Sequence, residues 1–258
     1  MHHALLGLLL IASCSAYAQP GAAKLEFEVA SIKPSPPPDF DKGFTVSMTG
    51  GPGTDSPGLF RCVNLSLKGL VTQAYSTTSF QVQTPEWMSG QLFDISAKVP
   101  VATTREQFNV MLQNLLIDRF KLAVHRESKN LAKYDLVVAR DGSKLKNAVE
   151  DPASGRSRPA LPTGRVGRYR PKETMESFAA YLTSYLGKFV GDGTGLKGEY
   201  EINLSWVQEN SAGALDISDS GPSLERALQE QLGLQLKATK GPVDFLVVDH
   251  AEKLPSDN

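Results

Sequence analysis

The chain has 258 residues, 41% hydrophobic and 21% charged, which suits one large globular domain or two small ones and excludes wholesale disorder. Its formal net charge of −1 gives no overall pull toward nucleic acid or anionic lipid, so no nucleic-acid partner is expected.

The first segment, "MHHALLGLLLIASCSAYAQP", reads as an export leader over residues 1–18. Its apolar core is too short to span a bilayer, and "AYA" before Gln19 is a small-x-small cleavage site. "IASC" also resembles a lipoprotein box, which would make Cys14 a lipid anchor; cleavage after Ala18 is the favoured reading. No later apolar run is long enough to cross a membrane, so the mature chain is expected in the periplasm or secreted, free or lipid-tethered. Cleavage at Ala18 leaves Cys62 alone, with no internal disulfide. Cys62 reads as a small, half-buried residue, not a catalytic thiol, because no base lies near it in sequence.

Residues 19–63 form an N-terminal strand region, with "LEFEVASIKP" as its strand and Pro- and Gly-rich stretches after it. From Asn64 the pattern becomes regular. Leu67, Leu70, Val71, Ala74 and Tyr75 fall at helical spacing behind Ser66, a good N-cap. "FQVQ", the turn-like "TPEWMSG" and the strand "FDISAKV" follow. A second helix opens on a capping box of Thr103 and Glu106, with a stripe from Phe108 to Phe120, and leads to "FKLAVHRE" and "YDLVVAR". A third helix carries Met175, Phe178, Leu182 and Leu186 before "KFV", a glycine stretch and "EYEINLSWV". A fourth carries Leu224, Ala227, Leu228 and Leu232, with Gly233 as C-cap, before "LQLKAT" and "VDFLVVDH".

Four helix–strand–strand units result. Three repeat an aromatic–acidic–aliphatic triplet at nearly one offset from the helix start: Phe93-Asp94-Ile95, Tyr134-Asp135-Leu136 and Tyr200-Glu201-Ile202. The expected fold is α+β, two pseudo-repeated halves over 64–140 and 173–253, with helices packed on antiparallel or mixed sheets and a tail at 254–258. Between the halves, 141–172 reads as a basic Pro/Gly/Arg-rich linker containing Arg156, Arg158, Arg165, Arg168 and Arg170. Its bland reading is a solvated linker; its sharper one is a docking strip for an anionic envelope polymer or partner.

Chemistry is sparse. His125 and His250 are the histidines left after leader removal, and each falls inside a predicted strand. Neither His-x-x-x-His nor Cys-x-x-Cys occurs, so no metal site is expected. Convergence of the histidines with Asp249 and Glu127 is the one route to a catalytic set; two ordinary surface histidines are the simpler reading. Asp94, Asp135 and Glu201 occupy matching repeat positions and read as the solvent side of their strands. Gly193, Gly195 and Gly198 spell G-x-G-x-x-G, but a strand follows them where a dinucleotide loop needs a helix. They read as an inter-strand turn. No catalytic, cofactor-binding or metal residue is assigned, and no cofactor.

The stretches "FEVASIKPS", "SLKGLVTQAY", "MLQNLLIDRFKLAVHRE", "GTGLKGEYEINLSW" and "LQEQLGLQLKATKGPVDFLVVDHAEK" resemble, in order and spacing, an exported soil-bacterial family of unknown function abundant in Acidobacteria. That resemblance implies an envelope or secreted protein and brings no activity, ligand or catalytic residue. A weaker, local similarity is to the small N-terminal modules of secretins and TonB-dependent receptors, which implies an interaction domain. The leading expectation is a non-catalytic binding or interaction module of the bacterial envelope. The alternatives are an exported hydrolase using His125 or His250 with nearby carboxylates, and a sensor or inhibitor domain linked to a membrane peptidase.

Overall fold

The computed structural model describes residues 24–37, 44–148, 165–207 and 221–256. The leader with Cys14, Arg156 and Arg158 of the expected linker, and the last two tail residues lie outside these. Among the described residues the fold is α+β, with five helices packed against antiparallel and mixed sheets.

In the first lobe β1 (Val29–Pro34), β2 (Ser47–Gly50), β3 (Leu59–Ser66) and β5 (Leu92–Lys98) form an antiparallel sheet in the order β1-β5-β3-β2. Helix α1 (Leu67–Ala74) starts directly from β3 because the Ser66 hydroxyl accepts the Gly69 N–H at 3.1 Å, satisfying an amide that has no partner within the helix. It buries Leu67, Leu70, Val71 and Ala74. Then come a short strand β4 (Val82–Gln83) and a helical turn α2 (Trp87–Gly90), where the sequence suggested a turn. Helix α3 (Arg105–Phe120) opens on a capping box one residue later than expected, Thr104 with Gln107. Phe60 meets Phe108 and Phe93 meets Phe120, each edge to face at 4.9 Å. These pairs join the α3 stripe to the sheet and close the first core.

The second lobe repeats this plan. Strands β7 (Lys146–Asn147), β8 (Arg165–Glu173) and β10 (Tyr200–Val207) form a sheet in the order β7-β10-β8, matching β1-β5-β3. The stretch read as a linker therefore contributes strands at both ends; a Pro- and Arg-rich composition hid β8. Helix α4 (Met175–Leu186) is capped by Thr174 as α1 is by Ser66. Its buried Met175, Phe178, Ala179 and Leu182 take the places of Leu67, Leu70, Val71 and Ala74. Strand β9 (Val190–Asp192) corresponds to β4. Helix α5 (Leu224–Ala227) runs into a π-helical turn (Leu228–Leu232), and Gly233 ends it in the left-handed conformation expected of a C-cap.

Two long strands tie the lobes together. β6 (Ala123–Val138) and β11 (Leu234–His250) pair antiparallel along nearly their whole length. In these two units the strand segments expected to be separate run on without a break. The stretch between those segments, "SKNLAK" (128–133), lies inside β6, paired with residues 239–244 of β11. β4 adds in parallel to the end of β11, and β9 in parallel to the end of β6. Each lobe's short strand thus docks on the strand that leaves the other lobe, as a pseudo-twofold axis through the ribbon requires.

Candidate functional site

The glycine stretch follows β9 and leads into β10. Gly193 donates its N–H to the Leu136 carbonyl at 2.9 Å, and a Cβ there would press on that oxygen and on Val137. Gly195 and Gly198 have φ of +69° and +106°, which a side chain would strain. Asp192 accepts the N–H and hydroxyl of Thr194, and Thr194 accepts the Leu196 N–H at 3.1 Å. The amides of Gly193, Thr194 and Leu196 are thus already engaged within the fold.

His125 and Asp249 come together across the ribbon: Nδ1 lies 2.8 Å from Asp249 Oδ1 and 3.0 Å from Oδ2. A register slip between Val248 and His250 lets Asp249 reach His125. Both side chains stand about half exposed on an open sheet face, at 51% and 48%. His250 pairs with Ala123 and is exposed; Glu127 pairs with Lys129. No group of three or more His, Cys, Asp or Glu able to hold a metal exists among the described residues. Cys62 is fully buried, not half-buried as its local sequence suggested, and burial pushes its thiol up to about 12, the reverse of an activated nucleophile.

Two of the repeat carboxylates, Asp94 and Asp135, are half-buried hydrogen-bond acceptors within the fold and do not simply face solvent. Asp94 accepts the Ser35 hydroxyl at 2.6 Å and the Asn64 N–H at 2.9 Å. Asp135 accepts from Lys133 at 2.5 Å and from Thr239 at 3.0 Å; the lysine beside it holds its carboxyl below the usual range. Of the arginines, Arg168 turns inward. It pairs with buried Glu173, which also accepts the Ser177 hydroxyl, and its guanidinium lies 3.9 Å over the Tyr181 ring.

The concave surface lies elsewhere. A groove of about 390 Å³ runs between the start of β1 and α3. Phe27, Met111 and Leu115 floor it, Val29 stands 66% exposed at its lip, and Glu26, Glu28 and Asp118 line its rim. Both ends of the described chain secure it. Lys24 bridges Glu26 and Asp118 at 2.9 and 2.7 Å, Asn114 donates to the Leu25 carbonyl at 2.9 Å, and Ser256 N–H reaches the Arg119 carbonyl at 2.7 Å. Its volume falls in the range of small-ligand pockets, and its apolar floor with a polar rim suits a bound side chain or small molecule. Sequence reasoning missed this groove, since its walls lie some ninety residues apart; the one local sign was an apolar Val29 on a strand flanked by glutamates.

A family model matches residues 68–251, from the second residue of α1 to the residue after β11. The chain belongs to the DUF3738 family, proteins of unknown function. The match takes in the ribbon and both helix layers, and it leaves out β1, β2 and β3, so one wall of the groove lies outside the matched span. No curated protein and no solved structure matches this DUF3738 chain. No helix among its described residues is long and apolar enough to cross a membrane.

Proposed function

We propose that this DUF3738 protein is an exported, non-catalytic binding module of the bacterial envelope, periplasmic or secreted, that engages an envelope protein or polymer through the groove between β1 and α3. The observation that carries the reading is this apolar-floored, carboxylate-rimmed concavity, which no metal-ligand cluster among the described residues borders. Export rests on the leader sequence, and Cys14 is the alternative anchor to free release. A photo-crosslinking amino acid placed at Val29, in protein returned to its native envelope, is expected to capture one discrete partner. Leu115→Glu, which puts a charge into the groove floor, should abolish capture while the folded circular-dichroism signal remains. Capture that is unchanged in Leu115→Glu would sink the assignment to this groove.

A second reading, an exported hydrolase, draws on the His125–Asp249 hydrogen bond, in which a carboxylate orients a half-exposed imidazole as it would a general base. It predicts hydrolysis of an envelope polymer by purified protein that His125→Ala eliminates; hydrolysis equal in wild type and His125→Ala, or none, removes it.

A further inference from the structure

The opposite border of the first sheet is built differently. Among the described residues β2 is its outer strand, paired on one side with β3. Gly51 donates to the Leu59 carbonyl at 2.7 Å, which places the main chains of residues 47, 49 and 51 toward β3 in the antiparallel alternation. The N–H and C=O groups of Met48 and Gly50 therefore point away from the sheet. Residues 44–50, "FTVSMTG", contain no charge and no proline, two of the devices that blunt an exposed edge, although the strand itself is short. Val46 and Met48 are 52% and 45% exposed on the side facing the helices.

A cavity of about 180 Å³ opens beside this edge, lined by Met48, Gly50, Phe60, Gln73, Arg105 and Phe108. Arg105, the first residue of α3, closes its far end. Its guanidinium makes one long hydrogen bond, 3.4 Å to the Pro52 carbonyl, and no ion pair among the described residues. Its neighbour Glu106 is hydrogen-bonded to Thr104 and to its own main-chain N–H, and feels the Arg105 charge without pairing with it. A strand edge with outward main-chain groups, a one-side-chain cavity and a guanidinium with no ion pair among the described residues thus lie side by side.

We propose that this edge receives an extended segment of a partner protein as a fifth strand, with an apolar side chain in the cavity and an Asp or Glu side chain on Arg105. Main-chain pairing to Met48 and Gly50 supplies affinity without sequence preference; the cavity and Arg105 supply the preference for an acidic, apolar sequence. The proposal rests on the binding-module reading but uses a different surface from the β1–α3 groove, so the two fail separately.

The probe is an array of end-blocked hexapeptides with Val or Leu at alternate positions and Asp, Asn or Lys at one end, bound to isotope-labelled protein and followed by amide chemical shifts. The Asp peptides are expected to shift the Met48 and Gly50 amides and to bind at least tenfold more tightly than the Lys peptides. Arg105→Ala should remove that tenfold preference, and Val46→Lys should abolish binding of all peptides, both variants keeping the wild-type unfolding midpoint. Equal affinity for Asp and Lys peptides, shifts confined to Val29 and Leu115, or no binding across the array would overturn it. So would a concentration-dependent dimer dispersed by Val46→Lys, which assigns the edge to a second copy of the chain.

Discussion

Leu136 and Leu246 lie in each other's lobes. β6 leaves the first-lobe helix α3, yet its Leu136 is buried in the second core; β11 leaves the second-lobe helix, yet its Leu246 is buried in the first. Each core is completed by a strand end that the other half of the chain supplies. Neither lobe closes alone, so the two are expected to unfold as one. Leu136→Ala and Leu246→Ala should each cost about 2–5 kcal/mol, as for other buried leucines. In Trp87→Phe and Trp206→Phe variants, which leave one fluorescent reporter per lobe, the urea transitions should coincide, and either leucine variant should lower both together. Separate midpoints would show independent lobes.

The buried Arg168–Glu173 pair is expected to be costly to break and cheap to replace. Arg168→Ala strands a 5%-exposed carboxylate and removes the cation over Tyr181, for a loss of about 3–5 kcal/mol. Arg168→Met with Glu173→Leu replaces both charges with apolar bulk and should recover most of that loss in denaturant titration. A double variant as unstable as Arg168→Ala would mean that the pair is needed for more than its mutual neutralisation.

Cys62 makes stability fall in alkali. Burial raises its pKa to about 12 in the folded state against an ordinary value near 9, so folding favours the protonated thiol. That contribution is complete below pH 9 and is lost as pH rises toward 12. Wild-type protein should therefore lose stability between pH 9 and 11 more steeply than Cys62→Ala. A disulfide-exchange reagent at pH 8 should react with Cys62 only after urea is added.

In the glycine stretch, Gly195→Ala and Gly198→Ala should each cost about 1 kcal/mol, because both require positive φ. Thermal scans with millimolar dinucleotides should show no shift in Tm for wild type or variants. A dinucleotide-dependent rise in Tm lost in Gly195→Ala would restore a cofactor role.

Much of the scaffold is legible locally. The stripes of Leu67–Ala74 and Phe108–Phe120, the cap at Ser66 and the C-cap at Gly233 each depend on contacts within a few residues. The matching of Met175 and Phe178 to Leu67 and Leu70 is likewise a pattern of side chains, readable as a repeat. Of the sites, the turn-forming glycines were legible, whereas the half-buried hydrogen bonds of Asp94 and Asp135, read as solvent-side acids, and the His125–Asp249 contact were not; a one-residue slip at Asp249 reverses the side on which its side chain emerges.

The amino-acid sequence by itself determined which faces are apolar, where helices start and stop, and that the chain repeats an α+β plan. Tertiary structure alone decided what those faces meet. "SKNLAK" and Lys240-Gly241-Pro242 both carry breaking signals, yet each is held extended by the other across the ribbon, a pairing between residues more than a hundred positions apart. The exchange of Leu136 and Leu246, the groove between β1 and α3, and the unprotected edge of β2 arise in the same way. Local sequence specifies burial and turn chemistry, but strand partners and the concavities between elements exist only once distant segments share one register.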